Sequence, residues 1–441
     1  VKAGKTVSNQ DLGFSFVGSE SGGYREDTGY GQQKLYLSHA TEINEWSVQN
    51  HVTLTNLNQE TGGYVKGDKS YEDGVLRKSN PNPEAYRDAW SFRANSEINK
   101  GRWTIKPYVR RSGMAFLQHF LPGQPLETND QGSGGVLLDY SLESDTYSGH
   151  IGVQVEAMDG SLMEYQAGPT VSGSAFLVAT RPPGMHYDYD VTSFMSALFY
   201  DLRFELNEHT RIIHSLRQEF LEYDYENNHL VGNTKDDGTA CGFGGCLYSR
   251  PASRKDAFSN TGLRLGLERD LDSGMFYGSL STGFRPPQVT ELYRLRGGQT
   301  IADLDSERLE SFELGFKSNF VNAAAFIEKT ENFMLRDSEA FNVSDGKTKS
   351  RGLELEGFKS VGKHTWSASL SYAIHEYDFD RAATGRETIK AGNNIDTAPK
   401  WLGSMRWRTE FSEALAQELE LVFVGKHYVN AANTAEYSGH E

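Results

Sequence analysis

At 441 residues and a net charge of −16, the chain has the length of about two to three soluble domains and lacks the basic balance that phosphate neutralisation by a nucleic-acid binder needs. Its 45 Gly, 12 Pro and 12% aromatic residues fit a β-rich chain with many turns and exclude a disordered one. A mean hydropathy of −0.58 excludes a helical membrane protein, and the apolar run at 321–327 is far shorter than the ~18 residues a spanning helix needs. A membrane β-barrel remains open, because only alternate residues of its strands touch lipid.

The N-terminal stretch VKAGKTVSNQDLGFSF has neither an initiator Met nor a charged-then-apolar leader, and it reads as the interior of a longer protein. From there, period-two alternation predicts roughly sixteen or seventeen strands. Long polar loops are predicted near 56–85, 116–135 and 159–190, with a short turn at 99–101. At 193–206, Phe194, Leu198, Tyr200, Leu202, Phe204 and Leu206 share one face, and Asp201, Arg203 and Glu205 share the other. A short turn at 207–210 precedes a loop at 224–256. At 262–268, Leu263, Leu265 and Leu267 alternate with Arg264, Gly266 and Glu268. A turn at 270–274 and loops at 286–306 and 337–347 follow. Beyond a turn at 361–364, Trp366, Ala368, Leu370 and Tyr372 alternate with serines, a loop spans 379–394, and strands return at 403–408 and 418–423.

Short and long connections therefore alternate along the whole chain. A sandwich or propeller gives no reason for every second connection to be long, whereas an up-and-down membrane barrel has short turns on one side and long loops on the other. The expected fold is all-β, one continuous antiparallel transmembrane barrel over 1–441. Arg93, Glu97, Lys106, Arg110, Arg203, Glu205, Glu268, Arg406, Arg408, Glu418 and Glu420 fall on polar strand faces and read as lumen wall. Cys241 and Cys246, in the loop CGFGGC, read as a small disulfide hairpin of an oxidising compartment. A two-Cys metal site is the alternative, with His229 as the nearest extra ligand. No G-x-S-x-G, H-E-x-x-H or comparable constellation appears, so no enzyme is expected.

Four segments carry a family resemblance: GFRPPQVTELYRL at 283–295, LDSERLESFELGFK at 304–317, SRGLELE at 350–356 and TAPKW at 397–401. In this order and spacing they resemble the β-barrel of TonB-dependent outer-membrane receptors. LNQETGGY at 57–64, NPNPEAYRDA at 80–89, FLQHFLPGQP at 116–125, HYDY at 186–189 and the Cys241–Cys246 loop resemble the ferric-siderophore subgroup. The resemblance implies a 22-stranded barrel, incomplete here, with an N-terminal plug and further C-terminal strands outside the chain. A porin of sixteen strands complete within the chain is the competing count. The resemblance also implies an integral outer-membrane protein of a Gram-negative bacterium, surrounded by membrane lipid and lipopolysaccharide, and a monomer. Its implied partner is the TonB–ExbB–ExbD complex, reached through a missing N-terminal region. No cofactor and no resident metal are implied; an iron chelate is the cargo, with haem, cobalamin or an oligosaccharide as alternatives.

The motif residues are Gly283, Phe284, Arg285, Pro286, Pro287, Glu291, Leu292, Tyr293, Glu313 and Gly315. Pro-Pro removes two backbone donors and ends a strand, and Arg285 reads as the partner of a neighbouring carboxylate. Arg294, Arg296 and Gln299 stand at a strand end, where guanidinium forks suit carboxylate or catecholate groups. Tyr187 and Tyr189, like Tyr223 and Tyr225, read first as an interfacial aromatic girdle and second as ligand-stacking rings. His119 reads as a rim residue, and as a haem ligand it needs a second His.

Overall fold

The computed structural model describes residues 2–7, 10–67 and 69–440. Val1, Ser8, Asn9, Asp68 and Glu441, which the readings of the chain ends and of the 56–85 loop include, lie outside the described residues. Among the described residues, eighteen strands form one sheet, slightly more than alternation predicts. Each is antiparallel to the next in chain order, from Lys2–Val7 to Leu415–Val424. This up-and-down order is that of a barrel wall.

Tight turns join the strands at one rim, at 44–45, 101–102, 208–209 and 362–363. At the first of these both Asn44 (φ 49) and Glu45 (φ 67) are left-handed, the signature of a two-residue turn whose twist matches its strands. Longer connections occupy the other rim, including 61–85, 167–183, 228–253, 286–306 and 378–400.

Two predicted loops are corrected. Much of 116–135 and 159–190 is strand: Leu126–Glu143, Tyr147–Gln166 and Gly184–Asn207 reach far into them. At 24 residues, Gly184–Asn207 is more than twice the ~9–11 residues that span a bilayer. Beyond the lipid both faces of a strand may be polar, so the alternation fades while the backbone ladder continues. On Tyr147–Gln166 the outward run Ile151, Val153, Val155 gives way to Asp159 and Ser161, which marks the outer edge of the lipid band.

Outward side chains within that band are apolar and exposed, as at Leu263, Leu265, Leu267, Phe312 and Leu314. Aromatic pairs line its short-turn edge: Trp103 with Tyr140 at 4.6 Å, Phe276 with Phe316 at 4.9 Å, and Trp366 with Trp407 at 5.4 Å. Trp90, Phe194, Phe220 and the Tyr372–Trp401 pair, 4.4 Å apart, occupy the opposite edge. The inner face carries ion pairs, among them Lys106–Glu97 at 2.9 Å, Arg211–Asp270 at 2.7 Å and Arg406–Glu420 at 3.0 Å. These lie against a water-accessible lumen, where such pairs are individually weak.

The buried core is not in the bilayer. It forms at the long-loop rim, where 167–183, 228–253 and 286–306 converge on the strand extensions. Tyr187, Tyr189, Tyr223, Tyr225, Tyr248, Leu292, Tyr293 and Leu295 pack there with the disulfide of Cys241 and Cys246. The girdle reading of Tyr187, Tyr189, Tyr223 and Tyr225 is therefore corrected. All four point inward and are buried, because they sit above the lipid band on faces that the folded loops cover.

Candidate ligand-binding site

The GFRPP segment ends the strand Gly274–Arg285, and its side chains lock the next turn. Arg285 donates through Nε and Nη2 to Glu307 at 2.7 and 2.9 Å, and through Nη1 to Glu291 at 3.0 Å. Glu291 in turn accepts the Gln288 backbone N–H at 2.7 Å, closing a capping box on the short helix Val289–Tyr293. Pro287 accepts the Tyr223 hydroxyl at 3.3 Å. Leu292 and Tyr293 enter the rim core, where Tyr293 stacks on Tyr225 at 4.2 Å and donates to Asp256 at 2.8 Å. Gly283 and Phe284 complete the strand opposite Leu309 and Arg308. Gly315 and Glu313 face the lumen beside Tyr277, and a Cβ on Gly315 would lie 2.3 Å from that ring. The motif is thus scaffold that delivers the following segment to the rim.

That segment carries Arg294 and Arg296. Arg294 donates to Glu127 at 2.7 Å and also pairs with Glu164. Glu164, 1% exposed, further holds Arg181 at 3.2 Å and His186 Nδ1 at 3.0 Å, and His186 Nε2 lies 2.9 Å from the Pro182 carbonyl. Burial by itself raises the Glu164 pKa. The hydrogen bond from His186 and the charges of Arg294, His186 and Arg181 outweigh it and bring the group down to about 2. Burial likewise pushes the neighbouring Tyr187 phenol up to about 12, and its hydroxyl donates to the Leu295 carbonyl at 2.5 Å.

Above this network lies a cavity of about 470 Å³ lined by Arg181, Arg294, Arg296 and Arg336, with Gln118, Tyr187 and Asn342. Among the described residues, Arg296 and Arg336 have no carboxylate partner; Arg336 Nε donates to Asn342 Oδ1 at 3.2 Å. Desolvation lowers the Arg336 pKa, and the charges of Arg296 and Arg294 lower it further. Two buried polar atoms of the lining, Gln118 Oε1 and Arg181 Nε, have no partner among the described residues. A chain with net charge −16 thus places two arginines without carboxylates at one cavity, whose own Glu164 and Glu291 are already paired with other arginines, an arrangement that suits an anion.

Arg294, Arg296 and Tyr187 are brought together at this cavity, with Arg294 largely consumed by its two carboxylates. Gln299 is not part of it. Its amide exchanges two hydrogen bonds with the Asn342 backbone, each 3.0 Å, and pins the 286–306 connection to the next strand pair. Tyr189 lies deeper and lines a second cavity. His119 is set apart: it contacts Thr61 at 3.3 Å and the rings of Phe116 and Phe120, while its neighbours Gln118 and Phe120 face the arginines. His229, the alternative metal ligand beside the cysteines, lies 3.1 Å from Asp236. Arg181, Arg336, Glu164 and Gln118 escape a reading by sequence. Arg181 stands in an R-P-P loop and Arg336 at a bulged strand end, and only the fold brings them beside Arg296.

Among solved structures, the siderophore receptor PiuA from Acinetobacter baumannii is 13% identical, with a TM-score of 0.77 over 100% of this chain and 71% of that one. The ferric-catecholate import receptor Fiu from E. coli K12 is 11% identical, with a TM-score of 0.71 over 100% and 71%. The ferric yersiniabactin uptake receptor FyuA from Yersinia pestis is 14% identical, with a TM-score of 0.70 over 100% and 68%. Identities this low establish the fold alone. No curated protein matches the chain. Residues 7–440 match the family described as TonB dependent receptor-like, beta-barrel, a family of outer-membrane transporters and not of enzymes. This chain belongs to the TonB-dependent receptor β-barrel family.

Proposed function

We propose that the chain is the barrel of an outer-membrane active transporter that imports a ferric siderophore or a similar anionic iron chelate. On this reading, the TonB–ExbB–ExbD complex energises the transport through a plug segment. The observation that carries it is the arginine-lined cavity at the long-loop rim, in which Arg296 and Arg336 are free of carboxylates. Guanidinium forks match the carboxylate and catecholate oxygens of such complexes. Cobalamin and neutral oligosaccharides give no reason for two arginines without carboxylates, Arg296 and Arg336. Haem asks for an axial ligand, and His119 faces away from the cavity.

The test is growth under iron limitation of a receptor-deletion strain carrying the full-length gene, on a panel of ferric siderophores, haem and cobalamin. Rescue by one anionic ferric chelate, lost without TonB and lost with Arg296→Ala/Arg336→Ala, is the expected outcome. Rescue that persists without TonB replaces this reading with a passive channel.

A further inference from the structure

Below the arginine cavity, and sharing Thr290 with it, lies a second cavity of about 560 Å³. Its wall is mostly apolar: Leu57, Met114, Met158, Leu162 and Val191 face it from four different strands, beside the Tyr189 ring. Such a surface is out of place in this lumen. Neighbouring inner-face positions carry ion pairs, Arg110 with Glu156 and Arg217 with Glu219, as expected of a wall bathed in water. Apolar area left against water is unfavourable unless something covers it. A second observation is independent of that wall. Tyr189 is 2% exposed, and its hydroxyl has no hydrogen-bond partner among the described residues. Buried hydroxyls are nearly always paired, so this one is positioned for a group that the barrel wall does not supply. Burial raises the Tyr189 pKa, which keeps the phenol protonated and able to donate.

We infer that the lower cavity is a second compartment of the ligand site. It takes an uncharged apolar arm whose carbonyl or amide meets the Tyr189 hydroxyl, while the arginines hold an anionic head. The substrate class is then an amphiphilic chelate, neither a compact fully charged complex nor an apolar molecule without a head. This inference rests on the arginine cavity being the site of an anionic chelate. The short helix Val289–Tyr293 supports it, since Val289 and Thr290 line the lower cavity while Thr290, Glu291 and Arg294 line the upper one. One rigid turn thus sets the offset between head and arm.

The test uses the full-length receptor purified from outer membranes, with two probes that differ only in the arm: the ferric complexes of citrate carrying one methylamide and of citrate carrying one octylamide. The octylamide complex is expected to bind at least tenfold more tightly. Tyr189→Phe should weaken it about fivefold, and Met158→Trp, which narrows the cavity, should bring it toward the affinity of the methylamide complex. Crystals soaked in 4-iodophenol, located by the anomalous signal of iodine, provide a measurement that does not depend on the arginines. Iodine beside Tyr189 together with the arm preference supports the two-compartment site. Equal affinity of the two complexes overturns it. A cavity without iodine also overturns it, because another part of the receptor then covers the apolar wall. Iodine in the cavity with neither chelate bound upholds the apolar compartment and overturns the anionic-chelate reading.

Discussion

Arg294 and Arg296 are two positions apart in the chain and have different fates. Arg294 is enclosed and neutralised by Glu127 and Glu164, whereas Arg296 faces the cavity with no carboxylate among the described residues. Removing Arg296 should therefore cost ligand binding without loosening the rim, and removing Arg294 should loosen the rim first. We expect Arg296→Ala and Arg336→Ala each to weaken an anionic ferric chelate by about tenfold to a hundredfold, the worth of one charged hydrogen bond. Titration calorimetry against unchanged thermal unfolding checks this. Glu164 supplies a pH signature. Its pKa is depressed from 4.5 to about 2, so its stabilising contribution is present above its ordinary value and is lost as pH falls through the depressed one. That contribution amounts to about 3 kcal/mol. Amide protection factors over 167–183 and 286–306, which correct for the intrinsic pH dependence of exchange, should fall between pH 4.5 and pH 2. Glu164→Gln should remove that pH dependence and raise exchange at neutral pH, because Arg181 loses its carboxylate and Arg294 keeps only Glu127.

At the scale of elements, the rim loops are held by packing and by two fasteners of different kinds. Arg250, 1% exposed, donates to the carbonyls of Leu230, Met185 and Thr234 and ties the 228–253 connection to the start of Gly184–Asn207. The Cys241–Cys246 disulfide closes a small loop inside the same connection. Its removal by Cys241→Ser/Cys246→Ser should cost about 2 kcal/mol of local stability, given the small loop closed. The checkable result is faster proteolysis confined to 228–253, with the barrel intact. In the wall itself, Gly315→Val should be worse than its size suggests, since the new side chain meets the Tyr277 ring. Overpacking of this kind costs about 1–3 kcal/mol, and heat-induced loss of the compact gel mobility should begin at lower temperature.

At the scale of the whole molecule, the outward apolar band and its two aromatic edges demand lipid or detergent. Refolding is expected in detergent micelles and not in plain buffer, followed by far-ultraviolet circular dichroism and gel mobility. A soluble monomer that melts cooperatively without detergent would contradict the barrel. The barrel also explains the distribution of charge: the wall pairs its own ions, the rim gathers arginines, and the compartment beneath is apolar.

What the chain determined by itself was local and periodic. Alternation at 262–268 and 365–372 set which side chains meet lipid, and the turns at 99–101 and 361–364 set the short rim, because a period of two and a tight turn are properties of neighbouring residues. The GFRPP segment marked its strand end through proline's missing donors. The tertiary structure alone decided what lies between distant segments. Tyr187 and Tyr225 share the composition of a girdle; the pleat points them inward, and the loops folded over them bury them. Arg181, Arg296 and Arg336 are far apart in sequence and meet because two connections fold over the rim beside the strand end that carries Arg336. Strand extensions above the bilayer lose the alternating signal while keeping their hydrogen bonds, and so 116–135 and 159–190 read as loops until the ladder is seen. Lipid writes its demand into every second residue of the wall. The candidate site draws on residues that only folding makes neighbours.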